Sequence, residues 1–225
     1  MLWQRGSGMK IGMIGTGSVS KALTGKLTEL GHGVTVGARS AESSSLDPFR
    51  EIPNVATGSF ADAAVAGELI FSVVAGEHAL EALEQAGEAN LAGKTVIDTG
   101  NFLDHSSGFP PHSSASQDNS LAAQIQKRFP EAHIVKSLNT MTNSVMINPA
   151  SVPGDHVVFV SGNDSGAKDE TMVLLSEFGW RDVHFVDLGG IETAAAAEMM
   201  MPIWLQIVIA RGGFDAGPFN FAINS

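Results

Sequence analysis

A doubly wound α/β fold, with a mainly parallel sheet and a small helical portion at its C-terminal end, is the architecture expected of this chain of 225 residues. Short β-branched and aliphatic runs alternate with stretches of helical periodicity, the order produced when parallel strands are joined by crossover helices. The first unit is more particular: a buried strand passes through a glycine turn straight into a helix, and a second strand follows. No internal repeat or dividing linker interrupts the alternation. Residues 9–189 are therefore expected to form one sheet domain and residues 190–225 a helical tail.

Ile11, Met13 and Ile14 form a short apolar run, as suits a strand buried on both faces of a parallel sheet. Gly15-Thr16-Gly17 turns the chain, and a helix opens at Ser18 with Val19, Leu23, Leu27 and Leu30 at helical spacing. Gly31-His32-Gly33 ends that helix, and Val34-Thr35-Val36 is the second strand. In such a unit the first glycine permits the tight turn and the second lets a pyrophosphate approach the backbone. The small third residue, here Ser20, lets helix and strand pack closely. The helix start adds unpaired N–H groups and the positive end of its dipole. Gly15, Thr16, Gly17, Ser18 and Val19 are thus candidate ligands for dinucleotide phosphates in a Rossmann domain.

The end of the second strand selects between the nicotinamide dinucleotides. Asp or Glu there binds the ribose hydroxyls of NAD, whereas Arg with small hydroxyls receives the 2'-phosphate of NADP. The chain has Gly37-Ala38-Arg39-Ser40, and its first acid is Glu42. NADP(H) is the expected cofactor, held by Arg39 and Ser40.

Residues 40–54 are polar and contain Pro48 and Pro53, so they read as a loop with at most a short helix. Val55-Ala56-Thr57 is a third strand, residues 60–65 a short helix, and residues 69–74 a strongly apolar fourth strand. Ligands of open α/β sheets lie beyond the carboxyl ends of strands. Val74, Ala75, Gly76 and His78 become cofactor candidates by that position; His78 has two readings, orienting a carboxamide or ring carbonyl or, the favoured one, an ordinary histidine at a helix start. A helix over residues 78–86 leads to Thr95-Val96-Ile97-Asp98, whose end puts Gly100 and Asn101 on the same side. Residues 102–118, rich in Ser, Pro and His, read as a loop able to close over a substrate. His105 and His112 lack compact ligand spacing, and no metal is expected. A helix over residues 121–129 precedes the strand Ile134-Val135-Lys136, which ends at Asn139-Thr140. A strand at residues 157–160, an amphipathic helix at 168–178 and a last strand at 183–186 complete the sheet. Residues 192–210 read as one long helix kinked by Pro202, with Met199-Met200-Met201 as a soft apolar surface.

With 44% hydrophobic residues the chain can bury a full core. Its net charge of -11 argues against nucleic acid or an anionic membrane as partner. Zero cysteines remove thiolate and disulfide chemistry and suit a reducing, cytoplasmic setting. The apolar stretch at residues 199–210 falls short of the roughly 18 residues that a bilayer span needs. Residues 1–8 (MLWQRGSG) read as a disordered extension ahead of Met9.

KIGMIGTGSVSKAL, VTVGARS, KTVIDTGN, IVKSLNTM, HVVFVSGNDSGAK and AEMMMPIWLQIVIA occur in that order. Together they resemble the coenzyme F420-dependent NADP oxidoreductase family, from residue 10 to the C-terminus. The resemblance implies hydride transfer between NADP(H) and a deazaflavin, usually by a homodimer. It also implies Thr16 to Val19 at the pyrophosphate, Arg39 and Ser40 at the 2'-phosphate, and Ala75, Gly76 and Glu77 by the nicotinamide. Asn139, Thr140, Met201 and Pro202 would lie near the second substrate, a small-molecule electron acceptor. Ala75, Gly76 and Asn139 would align two planar rings, with no acid–base triad required. Many family members carry Pro-Trp where this chain has Gly76-Glu77, which leaves space at Gly76 and adds a carboxylate. A flavin or another acceptor is therefore open beside coenzyme F420. The rival function is a non-catalytic NADP(H) sensor acting through a protein partner. A β-hydroxyacid or imine reductase is disfavoured, because residues 190–225 are too few for the large helical second domain such enzymes use.

Overall fold

The first strand, β1 (Lys10–Ile14), buries four of its five residues and stands at the point from which the chain winds in both directions. The computed structural model describes residues 8–104, 106, 108–117 and 119–223. His105 and all but the last residue of the expected N-terminal extension lie outside these residues.

From β1 the chain runs through α1 (Ser18–Glu29), β2 (Gly33–Ala38), α2 (Asp47–Arg50) and β3 (Val55–Ser59). It returns past β1 through α3 (Phe60–Ala66) to β4 (Leu69–Ser72), then α4 (Gly76–Ala86), α5 (Glu88–Leu91) and β5 (Thr95–Asp98). A small antiparallel pair, β6 (Leu103–Asp104) with β7 (His112–Ser113), leads to α6 (Leu121–Arg128), β8 (His133–Ser137) and α7 (Asn143–Ile147). β9 (Val158–Gly162), α8 (Ser165–Glu177), β10 (Phe185–Gly189), α9 (Ala194–Glu198) and α10 (Met201–Ala210) complete it.

The main sheet has the order β10-β9-β8-β5-β4-β1-β2-β3. Its pairs are parallel except β8 with β9, which run antiparallel. The order reverses between β1 and β4, and open α/β sheets carry ligands in the crevice at such a point. Alternation along the strands feeds two separate cores. Leu69 and Phe71 of β4 join Met13, Leu23, Leu27 and Trp180 on one face, while Ile70 joins Ile14, Leu83, Val96 and Ile134 on the other. α3 lies close on the sheet because a Cβ on Gly12 would stand 2.3 Å from the Ala63 carbonyl oxygen. Its start is fixed by a reciprocal cap: Ser59 Oγ accepts from Asp62 N–H at 3.1 Å, and Asp62 accepts from Ser59 N–H at 2.8 Å.

Three expectations change. The last strand begins at Phe185, because residues 182–184 form a short 3-10 turn that leaves Val183 exposed and His184 buried. The loop at 102–118 holds the β6–β7 pair. The single kinked helix is two helices, separated at Met199-Met200, with Pro202 in the first turn of α10, where its missing N–H costs little. Counted with the preceding turn, Ile191–Ala210 reaches 20 residues of mean hydropathy 1.4, long and apolar enough to cross a bilayer by length and composition. In the fold 44% of that stretch is buried. The tail beyond α10 returns to the sheet: Val157 N–H donates to Phe221 O at 2.9 Å and Asn220 Nδ2 to Val157 O at 2.8 Å.

Candidate active site

The glycine turn has the geometry its residues suggest. Gly15 sits at φ +122°, a conformation that favours glycine, and its N–H is tied to Gly37 O at 3.1 Å. Gly17 caps α1, and a Cβ built on it meets no atom within 4 Å. Nothing in the fold therefore excludes a side chain there; the glycine leaves the approach to the helix start open. α1 has no acid in its first turn, so its N–H groups face that opening without a competing carboxylate.

Two clefts meet at Gly17, Val73, Val74 and Ala75 and cross the carboxyl ends of the strands on either side of the switch point. One, of about 220 Å³, continues past Thr16 to Arg39 and His78. The other, of about 250 Å³, continues past Ser18 and Val19 to Gly76, Glu77, Gly100, Asn101 and Leu103. All the expected cofactor residues except Gly15 and Ser40 line one cleft or the other. Gly15 shapes the turn behind them. Ser40 is engaged elsewhere, donating to Glu42 Oε2 at 2.5 Å and accepting from Glu42 N–H at 3.2 Å. That hydroxyl holds the Glu42 carboxyl below the ordinary carboxylate range. Among the described residues no carboxylate pairs with Arg39. His78 lines the cleft that holds Arg39, and its Nε2 lies 3.5 Å from the Oε1 of Glu77, which lines the other.

Gly76 does not leave free space. A Cβ there would lie 2.1 Å from the Asn101 carbonyl oxygen, so the glycine is needed for the close passage of the 99–101 loop over the start of α4. The residues expected at the second substrate are also placed differently. Asn139 and Thr140 are buried and line neither cleft. Asn139 commits both amide protons, to Asn101 Oδ1 at 2.9 Å and Ala197 O at 3.1 Å, while Asn101 Nδ2 donates to Asn139 O at 3.0 Å. Met201 is packed with Trp204, Leu205 and Val208, and Pro202 is exposed. Leu103 of β6, which sequence reasoning passed over, both packs against that cluster and lines the cleft.

Beneath the 99–101 loop lie three further residues. Lys136 Nζ is 2.6 Å from Asp98 Oδ2, 2.9 Å from Glu198 Oε1 and 2.5 Å from Gly100 O. Burial raises the Asp98 carboxyl above its ordinary pKa. Burial opposes the Lys136 charge, yet the two carboxylates hold that ammonium above its usual value. At Asp98 the ammonium works against that rise and the neighbouring Glu198 carboxylate adds to it. The signal for this cluster was in the sequence: a lysine inside an apolar strand must find buried partners.

Residues 10–102 match the model of a family described as NADP oxidoreductase coenzyme F420-dependent. A protein of Arthrobacter sp. FB24 assigned as an F420-dependent NADP reductase is 44% identical, and its crystal structure superposes with a TM-score of 0.89 over 97% of this chain and 100% of its own. The chain belongs to the coenzyme F420-dependent NADP oxidoreductase family. It shares 25% identity over 212 residues, 91% of its length, with metalloreductase STEAP3 of Rattus norvegicus, of which it spans 40%. An imine reductase from Myxococcus stipitatus, solved in complex with NADP+, shares the fold at 15% identity and a TM-score of 0.64, over 90% of this chain and 61% of its own. In this family member the glycine turn, Arg39 and the strand ends line the two clefts that meet at Gly17, Val73, Val74 and Ala75.

Proposed function

We propose that this NADP-dependent oxidoreductase transfers hydride between NADP(H) and a planar acceptor, a deazaflavin such as coenzyme F420 or a flavin. The observation that carries the proposal is the cleft system itself: Arg39 at one end, the open Gly17 turn in the middle, and Gly100-Asn101 at the other. NADPH, when bound, supplies the hydride. The α1 start would hold its pyrophosphate and Arg39 its 2'-phosphate. Val74, Ala75 and Gly76 on one side, with Gly100 and Asn101 on the other, would confine the nicotinamide end and exclude water from one face. Glu77 is the ionisable side chain lining that end. The protein's task is alignment of two rings.

A cytoplasmic homodimer fits the same proposal, with Ile203 and Ile209 exposed on α10 as apolar surface for a second copy. The test is anaerobic NADPH oxidation with oxidised coenzyme F420, FMN and riboflavin offered in turn. Steady turnover with at least one of them is expected. Tight NADPH binding with no turnover on any would favour the sensor acting through a protein partner.

A further inference from the structure

Asp98, Lys136 and Glu198 are each 1% exposed or less, and each ends or nearly ends its element. Such a triad is a poor way to gain stability, since apolar residues of equal volume often do as well or better. Its contacts show what it fixes instead. Gly100, which lines the cleft, is held from both sides: Asp98 Oδ1 accepts from its N–H at 3.1 Å, and Lys136 donates to its carbonyl at 2.5 Å. Glu198 reaches the other way, accepting from Leu121 N–H at 2.9 Å and Ala122 N–H at 3.2 Å, at the start of α6. One residue before it, the Ala197 carbonyl accepts from Asn139, which also holds Asn101. The loop lining the nicotinamide end and the C-terminal helices are thus joined through one buried polar assembly.

We infer that Lys136, with Asp98 and Glu198, is a positioning residue for hydride transfer: it holds the Gly100-Asn101 edge of the cleft in place, anchored through Glu198 to α9 and the start of α6, and so fixes how the nicotinamide is presented to the acceptor. The inference rests on the proposed NADP(H) chemistry. It concerns the nicotinamide end alone, because the assembly's hydrogen bonds run to Gly100, Leu121 and Ala122 and not to Gly17 or Arg39.

Lys136→Met keeps the side-chain volume and removes the link. Glu198→Gln is the milder variant and serves if the first does not fold: its amide nitrogen would face the Leu121 N–H while the link to Lys136 is kept. Three quantities are read in each: the NADPH dissociation constant, the emission of the bound nicotinamide, and turnover with FMN at saturating NADPH. The expected result is a dissociation constant within about threefold of wild type, altered nicotinamide emission, and turnover lowered about tenfold or more for Lys136→Met and less for Glu198→Gln. The primary isotope effect with NADPH deuterated at the transferred position should rise in both. A merely structural role predicts a lower melting temperature, with affinity and turnover falling together; that outcome, or wild-type emission and turnover in a folded variant, overturns the inference. If wild type binds NADPH but reduces no acceptor, the proposed chemistry fails. The emission and the amide exchange of Gly100 and Leu121 then decide on positioning alone, with faster exchange at both and shifted emission expected.

Discussion

Arg39 has no carboxylate partner among the described residues, whereas the hydroxyl beside it is taken by Glu42. A 2'-phosphate must compete with Glu42 for Ser40 and meets its negative charge. Glu42→Gln is therefore expected to tighten NADPH severalfold and leave NADH unchanged in parallel titrations. Arg39→Ala should weaken NADPH about tenfold or more, again with little effect on NADH. Equal losses for both cofactors would place the 2'-phosphate elsewhere. Gly17→Val should fold and bind no NADPH, since its Cβ would meet no protein atom within 4 Å while the side chain fills the proposed phosphate approach. Gly76→Ala should lower stability by about 1–3 kcal/mol in denaturant unfolding, because Asn101 stands where its Cβ must go. The glycines of the turn were legible in the sequence because the elements that give them meaning are their immediate neighbours. Gly76 was not, since the carbonyl that requires it belongs to Asn101, in the loop after β5.

Strands buried on both faces announce themselves as unbroken apolar runs, which is why β1 and β5 fall where the sequence puts them and β4 begins there, although it ends at Ser72, short of the expected residue 74. At the sheet edge that signal fails. Val183 and His184 have strand-like composition but form the turn before β10, where His184 is buried against other aromatics. Its Nδ1 accepts from Arg181 N–H at 3.0 Å, its ring stacks on His156 at 5.7 Å between centroids, and Asp155 lies 3.5 Å from Nε2. Burial first, then the Arg181 charge, holds its pKa below the ordinary 6.5. The unfolded chain thus binds a proton as pH falls through about 6.5 while the folded chain resists, so stability declines with falling pH until the lower folded pKa is passed. His184→Gln should reduce the drop in melting temperature between about pH 7.5 and 5.5. An unchanged drop would assign it to other groups. The antiparallel direction of β9 and the β6–β7 pair were illegible, because neither strand direction nor a two-residue strand leaves a mark in hydropathy.

Across the whole molecule, a net charge of -11 opposes an anionic cofactor, so the proposed binding would depend on the local N–H groups of α1 and on Arg39. The order of alternating elements made the architecture readable, whereas the Gly76–Leu103 cleft was readable only in outline. Leu103 and the buried polar assembly come together from segments that no local pattern connects. If α10 joins two subunits, the chain should sediment at about twice its 23.5 kDa, and Ile203→Lys should return it to monomer with NADPH affinity retained. The most direct measurement of the cleft's function is titration of the purified chain with NADPH and with NADH under one set of conditions. The expected result is a dissociation constant at least about tenfold lower for NADPH, a preference of about 1.4 kcal/mol or more. Equal affinity for the two, or binding of neither, would contradict an NADP site built on the glycine turn and Arg39.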